Sequence, residues 1–418
     1  MKKRVILCLF IVLALGTQAQ DIYSVGYYNV TNGTIAALYK NNERLYTAHI
    51  SGLTSKAIRV VCNSEGDIFW MVNHYNYPNN TLNRVEIRKN KQVYATMGNP
   101  DVIHIYDMYC LEDTLYYAGY QLNENGVAIA TVWKGEDFEP HWVLGDGLHA
   151  SVIFDADIDK STNIPYFCGY VSDSIHNACV WKASQLMYTY EPSGVQGASQ
   201  AHEISVDQGS VYTNGYLNYN TGYGTISPPT IWKDNTIVDQ ATDYDFIECL
   251  YAHQGDYYYT FFYPHGLYYA VYRNRSEILQ LPLNQTGVQS ICSDSDDIYM
   301  VGALQGSGTV WKNFEVYLQP NNCSYLCDMV VSYANVGVDE SNENDFAVYP
   351  NPTNGILFVE TRHGTSLPDQ TYRIANLMGQ TLMQGHITAE TQQIDIANLP
   401  AGMYFITIAD ETRKVVVR

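Results

Sequence analysis

The segment Asp155-Ala156-Asp157-Ile158-Asp159 spaces three carboxylates at alternate positions. Calcium-binding loops use such oxygen ligands at alternate positions, so Asp155, Asp157 and Asp159 are a candidate Ca²⁺ site. The glycine that follows the third acid in such loops is absent, and so is their distant glutamate. Alternate acids on a strand also simply share one face. Apart from this possible Ca²⁺, we expect no cofactor.

Local motifs of hydrolysis and phosphate binding are missing. The sequence contains no Gly-x-Ser-x-Gly, no His-Glu-x-x-His and no phosphate-cradling glycine loop. The histidines from His49 to His265 follow no ligand spacing. Because a fold can bring distant residues to one place, the elements that position the polar side chains must be identified first.

A repeat of about 45 residues fills the middle of the chain. It begins with a short strand that carries an aromatic residue, followed three residues later by glycine in five of seven copies. The seven aromatic positions are Tyr23, Phe69, Tyr116, Tyr166, Tyr212, Tyr258 and Tyr299. Four short strands per repeat are typical of propeller blades. We therefore predict an all-β chain with a seven-bladed β-propeller over residues 20–334.

The phase of the repeat predicts how the ring closes. The propeller starts at the second strand of a blade, and the last copy ends with a lone inner strand at residues 324–332. We expect this strand to complete the first blade, which hides two sheet edges and leaves the protein monomeric.

Each inner strand is expected to place one side chain in the central channel. The predicted ring consists of Arg59, His104, Asp155, Glu203, Glu248, Gln289 and Asp328. This mostly acidic set could hold a cation or a polar ligand, or simply line a water-filled channel. If the register of an inner strand differs by one residue, the neighbouring side chain would face the channel instead.

Other recurring residues have structural explanations. Trp133, Trp181, Trp232 and Trp311 occupy one repeat position, which favours packing between blades over a sugar-binding platform. The lysine after each is expected to be a solvated edge charge. Five cysteines fall on inner strands, and only Cys168 with Cys179 or Cys323 with Cys327 are close enough in sequence to suggest a disulfide.

The N-terminus has the pattern of a secretory signal peptide. Lys2, Lys3 and Arg4 precede an apolar stretch that is too short to span a bilayer, and Thr17-Gln18-Ala19 supplies small residues for cleavage. We predict a signal peptide over residues 1–19, cleaved near Ala19.

The last 70 residues suggest a small immunoglobulin-like β-sandwich, because alternating strands are separated by turn signals. Its landmarks are Tyr349-Pro350-Asn351-Pro352, Gly355, Leu377-Met378-Gly379, Gly402-Met403-Tyr404 and a final basic strand. This segment resembles the type A C-terminal sorting domain of the type IX secretion system of Bacteroidetes. The resemblance implies that residues 345–418 engage the secretion machinery and are removed after export, with release or attachment to surface lipopolysaccharide. An acidic linker, residues 335–344, precedes the domain.

The charge composition limits which classes of partner the protein can bind. The net charge of −20 argues against binding to a phosphate backbone or an anionic membrane, which needs clustered Lys and Arg side chains, so no nucleic acid partner is expected. The sequence favours a secreted or cell-surface binding or interaction protein whose propeller presents a glycan- or protein-binding face, rather than an enzyme. The alternative is a glycan-cleaving hydrolase or lyase with carboxylates such as Asp107, Asp155 and Glu248 at the channel mouth. Of the 37 tyrosines, those in the repeat register are expected to be architectural, leaving loop tyrosines as functional candidates.

Overall fold

The computed structural model describes residues 20–97, 101–190, 197–220, 225–241, 246–263, 268–282, 286–333, 346–353, 355–361, 370–376, 380–387, 391–408 and 411–418. Every regular element among these residues is a β-strand. No helix that could cross a membrane occurs in this part of the chain. Residues 20–333 form one compact unit, and the residues from Ala334 onward belong to another. The predicted signal peptide and the linker at residues 335–344 lie outside the described residues.

The described part of residues 20–333 contains seven four-stranded antiparallel sheets, called blades one to seven. Blade one opens with β1 (Gln20–Val30), β2 (Gly33–Lys40) and β3 (Glu43–Ala48). Blade two contains β4 (Leu53–Cys62), β5 (Ile68–Asn76), β6 (Thr81–Lys89) and β7 (Gln92–Met97). Blade three contains β8 (Ile103–Leu111), β9 (Thr114–Leu122), β10 (Ala128–Lys134) and β11 (Glu139–Val143). Blade four contains β12 (Ser151–Asp159), β13 (Ile164–Ser172), β14 (His176–Lys182) and β15 (Gln185–Tyr190).

The remaining strands of this unit continue the order. Blade five contains β16 (Ser199–Asp207), β17 (Ser210–Leu217), the small hairpin β18 (Tyr219–Asn220) and β19 (Thr225–Ile226), then β20 (Pro229–Lys233) and β21 (Thr236–Gln240). Blade six contains β22 (Phe246–His253), β23 (Asp256–Tyr263), β24 (Tyr268–Arg273) and β25 (Ser276–Pro282). Blade seven contains β26 (Gly287–Asp294), β27 (Asp297–Leu304), β28 (Ser307–Lys312) and β29 (Glu315–Leu318). The last strand is β30 (Tyr325–Tyr333).

The sheets close into a ring through their inner strands. In the order β30, β4, β8, β12, β16, β22 and β26, each strand contacts the next, and β26 returns to β30. Strand β30 pairs with β1, with Tyr23 opposite Val330, and so completes blade one. The all-β propeller architecture and the predicted closure by the last strand are both confirmed. This closure pairs two strand edges that would otherwise be exposed.

Large aromatic side chains fill the cores between blades. Trp133, Trp181, Trp232 and Trp311 are only 1–2% exposed, and each packs against the preceding blade, as predicted. At the boundary of blades one and two, Trp70 of β5 occupies this space instead. Burial of such side chains, about 1.5–3 kcal/mol for each large apolar group, is the main attraction between neighbouring sheets.

The basic residue that ends the third strand of a blade has a structural role. Lys312 lies directly across from Tyr299 in the sheet, 5.2 Å above its ring, and forms a 2.7 Å ion pair with Asp297. Blades one and two repeat the arrangement, and blade six does so with arginine. In six of the seven blades the cross-strand register places the cation over the repeat aromatic, so these partly exposed charges have a ring partner that the expectation of solvated edge charges did not include.

The cysteines are free thiols in the described part of the chain. Cys168 belongs to the core shared with blade five, whereas Cys179 belongs to the core shared with blade three. These two side chains therefore lie on opposite faces of one sheet and are not joined, and Cys323 and Cys327 are not joined either.

The C-terminal unit contains two sheets. Its strands are β31 (Phe346–Tyr349), β32 (Ile356–Thr361), β33 (Gln370–Asn376), β34 (Thr381–Ile387), β35 (Thr391–Asp395), β36 (Gly402–Ile408) and β37 (Glu411–Val417). One sheet has the order β31-β32-β35 and the other β34-β33-β36-β37. Both sheets contribute to one core, which includes Leu357, Ile374, Ile394 and Ile406.

Candidate functional site

A cavity of about 580 Å³ runs along the inner strands, and all seven blades contribute to its wall. Five of the predicted ring residues line it: Arg59, Asp155, Glu203, Gln289 and Asp328. His104 and Glu248 do not. In blade three the cavity position belongs to Asp107, and in blade six it belongs to Cys249.

A bulge in each inner strand explains these two differences. In β8, for example, Tyr106 is left unpaired between Ile105 and Asp107, and in β22 two residues, Glu248 and Cys249, are left unpaired. In blades one to five the residue after the bulge lines the cavity, whereas in blades six and seven the bulge residues Cys249 and Gln289 do so. His104 lies before the bulge and stacks on Tyr120 at 4.4 Å, and Glu248 is itself in the bulge of β22. A bulge changes the face that later residues present, so alternation alone misplaces them.

The cavity carboxylates join neighbouring blades. The backbone N–H groups of Ala156, Ile204, Val206 and Val60 donate to Asp107, Asp155, Asp157 and Asp328 at 3.1, 2.9, 2.7 and 3.0 Å. Every one of these bonds crosses from one inner strand to the next. These carboxylates therefore already have structural partners, which leaves less of their bonding capacity for a substrate.

Arg59 supplies the positive charge at the centre of this network. Its Nε donates to Asp107 Oδ1 at 2.7 Å, and its Nη2 lies 3.9 Å from Asp155 Oδ1. Burial acts to lower the pKa of Arg59, but the carboxylates of Asp107, Asp328 and Asp155 outweigh it and raise the pKa overall. The guanidinium therefore stays charged and offsets part of the acidic ring.

Burial also raises the pKa values of the carboxyl groups that line the cavity. It raises the pKa of Glu203 to about 8 and that of Asp157 to about 6. It likewise raises the pKa of Asp155, to which the charge of Asp107 adds. Near neutral pH the cavity thus combines a permanent cation with a protonated Glu203, so its net charge is less negative than the sequence implies.

The three carboxylates of the candidate Ca²⁺ site do not lie together. Asp155 and Asp157 line the cavity, whereas Asp159 accepts hydrogen bonds from Ser161 and Thr162 in the turn after β12. Within the described ranges, no group of three or more His, Cys, Asp or Glu side chains is placed to hold a metal ion. Calcium binding at these residues stays a prediction.

A cluster of aromatic side chains lies next to the ring of polar residues that line the cavity. The bulge residues of blades three, four and five contact one another in sequence, with ring distances of 5.4 Å for Tyr106–Phe154 and 5.3 Å for Phe154–His202. Tyr120, Tyr170 and Tyr216, from the adjoining second strands, pack against them. We call these six residues the aromatic arc. The cavity is lined mainly by residues that follow the bulge in each inner strand, and the arc residues of these strands come before them. The arc therefore lies on the side of the propeller where the inner strands begin.

The repeat glycines make this surface possible. Gly119, Gly169 and Gly215 each face a backbone carbonyl just before a bulge, and a Cβ at any of them would collide with that oxygen. The tyrosine of the arc is the next residue in each case. The signal was therefore present in the sequence, as an aromatic residue after the repeat glycine.

The structure also contains a buried Ser–His–Glu group in blade two. Ser55 Oγ lies 2.7 Å from His74 Nδ1, and His74 Nε2 lies 3.4 Å from Glu86 Oε2. Sequence spacing does not reveal it, because the three residues lie on three different strands. Ser55 and His74 are 0% exposed and Glu86 is 6% exposed, so a substrate has no access to the hydroxyl. The group links β4, β5 and β6 and is structural.

In the C-terminal unit, the Tyr-Pro-Asn-Pro motif holds the last strand. Asn351 donates from Nδ2 to the Lys414 carbonyl at 2.7 Å and accepts at Oδ1 from the Val416 N–H at 2.9 Å. Tyr404 donates to the Pro400 carbonyl at 2.6 Å. Gly402 begins β36, and Gly355 has a φ of 116° beside Ala397. Tyr349 is the last residue of β31, Pro350 and Pro352 flank Asn351, and Gly379 lies outside the described residues.

Comparison with known proteins identifies the tail. Residues 347–418 match the family described as a secretion system C-terminal sorting domain, which confirms the resemblance to type IX sorting domains. This tail implies secretion to the cell surface or outside the cell. The sequence matches no curated protein.

Two solved structures are similar to much of the chain. The β-propeller domain of the trilobed protease from Pyrococcus furiosus is 9% identical, over 83% of this chain and 94% of that one, with a TM-score of 0.32. The acylaminoacyl peptidase from Pyrococcus horikoshii is 10% identical, over 82% of this chain and 56% of that one, with a TM-score of 0.39.

Proposed function

We propose that this is a binding protein of the cell surface or exterior, and that its propeller binds a glycan or protein ligand at the aromatic arc. The arc is the observation that carries the proposal. It brings six aromatic rings into mutual contact next to the ring of polar cavity side chains, and Tyr106 remains 37% exposed. Aromatic faces with polar edges stack on sugar rings and on partner side chains.

Polar groups beside the arc support ligand binding. Gln200 bridges two imidazoles, with its Nε2 2.9 Å from His176 Nδ1 and its Oε1 3.3 Å from His202 Nε2. Burial lowers the pKa of His202, so its ring is neutral near pH 7. A neutral, hydrogen-bonding aromatic surface suits an uncharged ligand such as a glycan.

The structural partners of the carboxylates favour binding over cleavage. Asp107 and Asp155, two acids of the enzymatic alternative, are held by backbone donors of the next blade. Glu248 is the one observation that favours a hydrolase or lyase. Its Oε1 accepts from Tyr269 at 3.1 Å, its buried Oε2 has no hydrogen-bond partner among the described residues, and burial raises its pKa. Such a carboxyl group is suited to donate a proton.

The proposal also includes the route by which the protein is exported. We infer that residues 1–19 direct the chain of a Bacteroidetes bacterium to the periplasm with cleavage near Ala19. Residues 345–418 then engage the type IX secretion machinery, and the mature propeller acts as a monomer. The Asn351 contacts and the family match of residues 347–418 support this route.

A glycan array and a hydrolysis screen of the intact mature protein test the proposal. Phe154→Ala should weaken binding of any captured glycan or protein about tenfold, since it removes the central ring of the arc. Tyr317→Ala is the matched control, because Tyr317 is 49% exposed on the outer strand of blade seven. Turnover that is abolished by Glu248→Gln would overturn the binding assignment in favour of the enzyme.

A further inference from the structure

A second cavity, of about 220 Å³, lies between blades five and six, away from the central channel. Blade six contributes three aromatic side chains and one basic side chain, and blade five contributes a proline, a carboxylate and an amide. These residues are Tyr259, Phe261, Tyr272, Arg275, Pro229, Asp239 and Gln240.

A change at one repeat position accounts for this cavity. In blades three, four, five and seven, the third strand places a tryptophan in the core with the preceding blade. The corresponding residue of blade six is Tyr272, which is only partly buried. Its hydroxyl donates outward to Glu277 at 3.3 Å. The space that an indole fills elsewhere is therefore left open.

The walls combine aromatic rings with a carboxylate. Tyr272 stacks on Tyr259 with ring centroids 5.1 Å apart, and Phe261 meets both rings edge to face at 6.2 and 6.4 Å. The Tyr259 hydroxyl donates to Asp239 Oδ2 at 2.6 Å, which fixes the carboxylate at the aromatic wall. Rings next to a carboxylate attract cations through both the ring quadrupole and the negative charge.

Arg275 forms only a weak ion pair with the Asp239 carboxylate. Its Nε lies 3.4 Å from Asp239 Oδ1, longer than a good charge-assisted hydrogen bond, and its side chain is 66% exposed. An exposed pair of this kind contributes little free energy. A cation that enters the cavity can therefore replace Arg275 at small cost.

We propose that this inter-blade cavity binds a small organic cation, namely a methylated ammonium group. The charge lies toward Asp239, and the methyl groups pack against Tyr259, Phe261 and Tyr272. Arg275 competes with the ligand for Asp239. This site is independent of the aromatic arc and of the function proposed there.

Calorimetric titration of the intact mature protein with choline chloride tests the site. Choline should bind in the millimolar range, and its neutral isostere 3,3-dimethyl-1-butanol should bind at least about tenfold more weakly. Equal binding of the two probes, or no detectable binding of choline, would overturn the proposal.

Three variants separate the cation site from a general loss of folding. Tyr272→Trp should abolish choline binding while the protein stays folded, because other blades carry tryptophan at this position. Asp239→Asn should weaken choline binding about tenfold, whereas Arg275→Gln should strengthen it severalfold by removing the competitor. Glu315→Gln, on the outer strand of blade seven, should leave choline binding unchanged. Weaker choline binding in Arg275→Gln would contradict the proposed arrangement.

Discussion

Arg59 of blade two donates a 2.7 Å hydrogen bond to Asp107 of blade three across the wall of the central cavity. Asp107 in turn accepts from the backbone of blade four at Ala156. One side-chain pair thus connects three consecutive blades. The most polar part of the molecule is also part of what holds the ring together.

Replacing Arg59 by methionine should destabilise the propeller by roughly 2–4 kcal/mol, because it leaves several buried carboxylates without their cation. Urea unfolding at neutral pH measures this loss. Arg84→Met is the matched control, since Arg84 is 45% exposed and its pair with Glu86 is worth at most about 1 kcal/mol. Equal losses in the two variants would show that Arg59 has no special role.

Glu203 should make stability fall as the pH rises. Burial raises its pKa to about 8 from the ordinary 4.5, so between these values the folded chain keeps a proton that the unfolded chain has lost. Its contribution is therefore neutral below the unfolded pKa and becomes increasingly unfavourable up to the folded pKa. Glu203→Gln should change stability little at about pH 4.5 and stabilise the protein by about 1–3 kcal/mol at about pH 8.5. Unfolding midpoints at the two pH values measure this, and a pH-independent effect would contradict it.

Lys312 should contribute more to stability than its counterpart in blade three. Lys312→Gln removes both the ion pair with Asp297 and the contact with the Tyr299 ring, at a cost of about 1 kcal/mol. Lys134 has the same sequence position but forms no ion pair among the described residues, so Lys134→Gln should cost less than half as much. Thermal unfolding of the two variants compares them directly.

Asn351 should be required for export, because its side chain bonds two backbone groups of β37. Asn351→Ala should lower the extracellular fraction of the protein severalfold and cause it to accumulate in the periplasm. Cell fractionation and immunoblotting measure this, with the exposed Gln393→Ala of β35 as control. Deletion of residues 346–418 should block export completely, and normal secretion of that chain would refute the role of the domain.

The sequence predicted the architecture well because each blade repeats the same four strands. The aromatic positions from Tyr23 to Tyr299 indicated one strand per blade, and the phase of the repeat indicated that β30 would close the ring. Such features depend on spacing and hydrophobic alternation, which are visible in a single chain.

The cavity was harder to predict, because an inner-strand bulge changes the side on which the next residue lies. Strand alternation predicts His104 for the channel position of blade three, although Asp107 is the residue that faces the cavity. Gly119, opposite the carbonyl of His104, was the only sequence mark of this bulge. The same glycine precedes Tyr120, a tyrosine of the repeat register that the structure places in the aromatic arc.

The pairing of β1 with β30 also has a consequence for synthesis and processing. The inner edge of β1 stays uncovered until it pairs with β30, some 300 residues later in the chain. The ring therefore closes only when the last strand of the propeller, which directly precedes the linker and the sorting domain in the chain, is in place. A protease that releases the propeller from its tail must cut after Tyr333, because cleavage before Tyr325 would remove the strand that locks the first blade.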